Sequence, residues 1–143
     1  MRAMLVFPHA RWAATLAGLA FWATVAPWLA EAVGLELAVS TRLEIVDHVV
    51  PGVIMLAGAA GLATRGAVPG GLVWLGAGAI AFLVGVWITA THVPLIPAAL
   101  QGGAPWGAAL LHLSTGPPIL VSGVWLLLRS QSPDGAPDVR RGK

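Results

Sequence analysis

Four long apolar stretches dominate this sequence: Trp12 to Ala30, Ile45 to Ala63, Gly70 to His92 and Trp106 to Leu128. A helix crossing the hydrocarbon of a bilayer needs about 20 mostly apolar residues, and only a helix or a closed barrel satisfies its own backbone where water is absent. The chain has 143 residues, so four such stretches leave little for a soluble domain. Its composition agrees, with 57% hydrophobic and only 10% charged residues, against roughly 25% charged in an ordinary soluble domain. The expected fold is all-α, a four-helix transmembrane bundle over residues 1–129. A disordered cytoplasmic tail over residues 130–143, polar and punctuated by Pro133, Gly135 and Pro137, is expected to follow.

The cations set the expected orientation. Arg2, Arg11, Arg65, Arg129, Arg140, Arg141 and Lys143 fall on one side of a four-span topology, and Arg42 alone falls on the other. The positive-inside rule then places both termini in the cytoplasm, with Glu31, Glu36, Glu44 and Asp47 outside. The expected location is the cytoplasmic membrane of a bacterium, with the lipid bilayer as the first partner. Although the sequence pI is about 10.5, the net charge is only +2, and no basic stripe interleaves with aromatics, so nucleic acid is not an expected partner. The first stretch imitates a secretory signal, but it is a full span long and holds Trp22 and Trp28, so it reads as a retained anchor. Cysteine is absent, which excludes disulfides, thiolate ligands and cysteine nucleophiles.

Six of the seven tryptophans fall near span ends: Trp12, Trp74 and Trp125 inside, Trp28, Trp87 and Trp106 outside. Indole favours the headgroup level, so these read as interfacial anchors. Trp22, at mid-depth, is the exception. Thr41-Arg42-Leu43-Glu44 fits a capping box that starts the second helix. The short connection Thr64 to Pro69 makes the second and third helices antiparallel neighbours. The outer segment Pro94 to Pro105 reads as a loop able to fold over the mouth of the bundle. Gly58-Ala59-Ala60-Gly61, Gly76-Ala77-Gly78 and Gly85 permit close helix approach.

The chemistry concentrates in three of the four histidines. The second helix starts outside, the third ends outside and the fourth starts outside, so His48, His92 and His112 approach one leaflet, within roughly 10–12 Å if adjacent helices pack at 8–10 Å. Ionisable groups inside spans are costly and mark functional cavities. Pro51 denies the Asp47 carbonyl its helical N–H, and Pro117-Pro118 does the same for Leu113 and Ser114, adding polarity beside the imidazoles. His112, His92 and His48 are the candidate catalytic groups, with Asp47 to orient His48 or accept a proton. Thr89, Ser114, Thr115 and Trp22 are the candidate substrate contacts. Glu44 reads as a cap, and His9, at the inner end, as unrelated. The three imidazoles together suit zinc, copper or iron, a paired-histidine haem is an alternative, and a site without a cofactor is a third.

Phe82-Leu83-Val84-Gly85-Val86-Trp87-Ile88-Thr89-Ala90-Thr91-His92-Val93-Pro94-Leu95, followed by Leu100, Trp106 and His112, resembles the anthrone oxygenase-like family of small four-helix membrane proteins. Those proteins commonly close the third helix with Asn-Val-Pro-Leu-Asn and open the fourth with Trp-x-x-x-Asn-His-x-Arg. Here His92 and Ile96 stand at the two asparagines of the first element, and Leu111-His112-Leu113-Ser114 stands at Asn-His-x-Arg, so the histidine alone is kept. The likeness extends over about 120 residues in length, helix count and loop placement. It implies the four-helix fold and, for some members, oxygenation of polycyclic aromatic substrates.

The expected function is that of a small membrane oxidoreductase or oxygenase-like enzyme acting on a lipophilic, aromatic or quinone-like molecule in a histidine-lined pocket of the outer leaflet. The rival expectation is a non-catalytic, metal- or haem-binding accessory subunit. Its glycine-rich faces would dock to a larger membrane complex or to further copies of the chain.

Overall fold

The structure is a computed structural model and describes residues 8–34, 41–68 and 70–131. It is all-helical: α1 (Pro8–Ala32), α2 (Thr41–Glu44), a π turn (Ile45–Val49), α3 (Val50–Arg65), α4 (Leu72–His92), α5 (Leu95–Leu100), α6 (Trp106–Leu113) and α7 (Gly116–Ser130). These merge into four rods long and apolar enough to cross a membrane, at His9–Ala32, Arg42–Arg65, Leu72–Leu100 and Trp106–Ser130. That is consistent with an integral membrane protein. The fourth rod runs one residue past the expected boundary at 129, and the tail from residue 132 onward lies outside the described residues, as does the Thr41 side chain of the capping box.

Proline decides where the helices depart from regularity. Pro51 has no N–H to offer Asp47, and the ladder slips one residue just before it, so that the Val50 N–H reaches back five residues to the Ile45 carbonyl. Pro117 and Pro118 cannot continue a helix through Ser114. Accordingly α6 stops at Leu113, the Thr115 N–H bonds the His112 carbonyl at 3.2 Å, and α7 restarts with both prolines in its first turn. Pro94 acts in the opposite sense to expectation. Its φ of −61° caps α5, so half of the supposed outer loop is helical.

The packing is the inverse of a soluble core. Buried positions are mostly alanine and glycine, among them Ala20, Ala23, Ala59, Ala77, Ala81 and Ala108, while Leu72, Leu83, Phe21 and Val121 lie on the outside. Small residues inside let backbones approach, and large apolar residues outside suit lipid. α4 packs most extensively on α7, α1 on α3, and α3 on α4, while α1 also touches α6 and α7.

The α4–α7 seam rests on two glycine pairs spaced by seven residues, which keeps each pair on one helical face. Gly85 lies against the Leu120 backbone, Gly123 against that of Phe82, Gly78 against Leu126 and Leu127, and Gly116 against Thr89. Gly116 and Gly123 were not singled out by the sequence reading. Of the glycines that were, Gly58, Gly78 and Gly85 serve contacts within the chain, whereas Gly61 and Gly76 face open space.

One end of the bundle gathers the start of α1, the end of α3, the start of α4 and the end of α7. Trp12 lies 6.3 Å from Trp125, and Arg129 sits 5.2 Å over the Trp125 ring. Trp74 is buried and donates its indole N–H to the Gly66 carbonyl at 2.9 Å, so it is a helix-end clamp rather than an interfacial anchor. His9 lies against Gly66 at this same end, far in the fold from the other three histidines.

Candidate metal centre

His48, His92 and His112 come together at the opposite end, closer than helix packing alone requires. Their ring centroids lie 4.6–5.1 Å apart, with His92 and His112 stacked at 15°. The Nε2 atoms of His48 and His92 are 3.0 Å apart, and His112 Nδ1 is 3.2 Å from His48 Nε2. All three rings are buried, and one nitrogen of each lies within 4.8 Å of the others.

Helix irregularity delivers two of the three rings. His48 sits in the π turn beside Pro51, and His112 sits one turn before the Ser114–Thr115 break. The partner of His48 on α1 also depends on a proline. Pro27 lies inside α1 and leaves the Ala23 carbonyl without its helical N–H, and that carbonyl accepts the His48 Nδ1–H at 3.0 Å. The sequence does carry a signal for this contact, a proline four residues after a mid-span alanine.

The hydrogen bonds fix two tautomers. A carbonyl can only accept, so His48 carries its proton on Nδ1 and presents a lone pair at Nε2. His92 Nδ1–H donates to the Ile88 carbonyl at 2.7 Å, with Thr91 Oγ1 at 2.9 Å, so a neutral His92 ring presents a lone pair at Nε2 as well. Two lone pairs therefore face each other across 3.0 Å. His112 Nδ1–H can serve only one of them, and its own Nε2 is then left buried without a hydrogen-bond partner. Buried polar groups without partners are costly. The other two such atoms among the described residues, Glu44 Oε2 and Thr89 Oγ1, belong to the same half of the bundle.

A transition-metal ion fits this arrangement. Nitrogens bound cis to one ion at 2.0–2.1 Å stand roughly 2.9–3.4 Å apart, which brackets the two short separations. The carbonyls that hold His48 and His92 by Nδ1 are the outer partners that orient metal-binding imidazoles. Haem does not fit. Its paired axial nitrogens stand about 4 Å apart, twice a bond of about 2 Å, with a macrocycle between them, whereas here His92 and His112 stack directly on each other.

The remaining candidates scatter. Asp47 does not orient His48: it is half-buried and accepts the Trp87 indole N–H at 3.2 Å. The carboxylate nearest His48 is that of Glu44, with Oε2 at 3.7 Å from Nε2. Thr115 is fully buried and donates to the His112 carbonyl at 2.6 Å, holding the helix break rather than facing a ligand. Thr89 packs against Gly116 in the seam. Trp22 donates to Ser114 Oγ at 3.0 Å, and the two help line an open apolar cleft of about 530 Å³ between α1 and α6. A second cleft, of about 380 Å³, lies between Val46 and Trp87.

Neither of these two clefts is lined by a histidine, and the three histidines form a buried cluster of their own. The cluster and the α1–α6 cleft are one helix wall apart. Trp22 precedes the Ala23 that holds His48, and Leu111 and Ser114 flank His112. No family model matches the chain, and neither a curated protein nor a solved structure matches it.

Proposed function

We propose that this chain is an integral membrane oxidoreductase whose three-histidine cluster holds a redox-active transition metal, and that its substrate is a lipophilic aromatic or quinone-like molecule entering by the α1–α6 cleft. The observation that carries the reading is the pair of imidazole Nε2 atoms facing each other at 3.0 Å, with the His112 ring against both. A shared proton would relieve two nitrogens, whereas one ion relieves three. Iron or copper bound there would supply electron transfer, which zinc, imidazole and carboxylate lack. The apolar cleft walls, Trp22, Leu29, Val33, Leu110 and Leu111, suit a ring system, and Ser114 offers a hydroxyl to orient it. Kinship with anthrone oxygenase-like proteins belongs to this reading, carried by the resemblance of the sequence at Val93-Pro94-Leu95, Trp106 and His112. So does a topology with both termini in the cytoplasm, supported by Arg11, Arg65 and Arg129 near the rod ends opposite the histidines.

The accessory-subunit reading is weaker, because much of the glycine it would use for docking is consumed in the α4–α7 seam. The test is metal analysis of the full-length protein purified in detergent, followed by quinol oxidation assays. One iron or copper ion per chain is expected. His112→Leu should lose the ion and turnover while the metal-free protein melts within about 1 kcal/mol of wild type, since an unpartnered buried nitrogen is removed. Wild-type protein that binds no first-row metal would overturn the reading.

A further inference from the structure

The structure assigns Glu44 as a fourth ligand, making the centre a three-histidine, one-carboxylate site for a divalent first-row metal. The inference rests on the proposed metal cluster and adds to it a residue that sequence alone makes a helix cap. Glu44 lies one turn before His48, and its carboxylate turns inward, leaving the residue 9% exposed. Its Oε2 is buried without a hydrogen-bond partner and stands 3.7 Å from His48 Nε2. Among the described residues, this contact with His48 is the only ion-pair geometry that Glu44 makes.

A carboxylate oxygen buried without a hydrogen bond is costly for a helix in lipid to carry, and it persists where a positive charge compensates it. An imidazole in its neutral form supplies no charge, but a divalent ion held between the three rings does. The requirement is mutual. An ion held by three imidazoles keeps its full double charge in a low-dielectric interior, and one anionic ligand halves it. His48 Nε2 is the hub, with His92 Nε2 at 3.0 Å, His112 Nδ1 at 3.2 Å and Glu44 Oε2 at 3.7 Å. The first two lie within the roughly 2.9–3.4 Å that separates donors on one ion. The carboxylate stands outside that range at 3.7 Å, and binding the ion would draw it inward by a side-chain rotation. The π turn contributes directly, because Glu44 immediately precedes it and His48 lies within it, so the slip of the ladder sets how the two donors face each other.

The test uses metal-free full-length protein in detergent titrated with Co2+, whose visible bands report coordination. Wild type should take up one Co2+ with the intense bands of a four-coordinate site. Glu44→Gln should bind more than about tenfold more weakly, the lower bound for losing even an outer partner, with bands that weaken as water replaces the carboxylate. Its stability should change in opposite directions: metal-free Glu44→Gln melts at or above wild type, and Co2+-loaded Glu44→Gln melts below it. Should Glu44→Gln not insert, Glu44→Asp makes the same comparison, keeping the charge while withdrawing the oxygen by one methylene. Unchanged bands and affinity in the variant, with binding lost in His92→Ala, would overturn the Glu44 assignment and leave the histidine site standing. Absence of Co2+ binding by wild type would overturn both.

Discussion

The α4–α7 seam and the histidine end are built on opposite principles. In the seam, two regular helices press together through Gly78, Gly85, Gly116 and Gly123, with backbone almost touching backbone. At the histidine end, α1 carries Pro27, the second rod slips into a π turn, and the fourth rod breaks between α6 and α7. The seam spends its regularity on contact and leaves no chemistry, whereas the irregular end gives up helical hydrogen bonds and gains acceptors and rings aimed inward. Departures from ideal geometry cluster where function is expected, because nothing else compensates their cost.

The comparison breaks first at the seam. Gly85→Leu would drive a side chain into the Leu120 backbone, and overpacking of this kind costs at least about 1–3 kcal/mol, more where backbone is the obstacle. The expected outcome is loss of folded protein by size-exclusion chromatography in detergent. Gly76→Leu, which meets open space, should fold normally. Equal behaviour of the two would deny the seam its role.

A smaller effect is expected from Pro51→Ala. Restoring the N–H lets Asp47 regain its helical bond, so the π turn should relax and rotate His48 off the cluster. Metal affinity should fall by about tenfold, as for a ligand deprived of its orientation, while the metal-free protein melts no lower than wild type. A calorimetric titration alongside thermal melting measures both. Retained affinity would make the π turn incidental to the site.

The smallest effect belongs to the boundary between the two regions. Trp22→Phe removes the hydrogen bond to Ser114, worth about 0.5–1.5 kcal/mol, and should lower the melting temperature slightly without releasing metal. Turnover of an aromatic substrate should fall more than stability does, since Trp22 lines the cleft. Metal loss in this variant would show that the cleft wall and the centre are one unit.

Much of this molecule was legible in its sequence. Four apolar stretches specify four helices because a bilayer admits few other solutions, and the short Thr64–Pro69 connection specifies antiparallel neighbours. The same topology sends His48, His92 and His112 to one end, and it separates His9 from them. The positions of Pro51 and Pro117-Pro118 foretold the two irregularities, since a missing N–H is a local property of the chain.

What the tertiary structure alone decided is which groups face one another across helices. Asp47 and Glu44 stand one and four residues before His48, and the sequence reads the first as its partner and the second as a helix cap. Only packing turns Asp47 to Trp87 and Glu44 inward. Pro27 frees a carbonyl in sequence, but the placement of α1 beside the π turn determines that His48 uses it. Thr115 and Trp22 carry the same expectation in sequence, and only the fold separates them, one holding a helix break and the other lining a cleft. Helix periodicity and proline chemistry act within a few residues and are written in the chain. The rotation of one helix about its axis relative to the next depends on every small residue in the interface at once, and a single sequence does not display that sum.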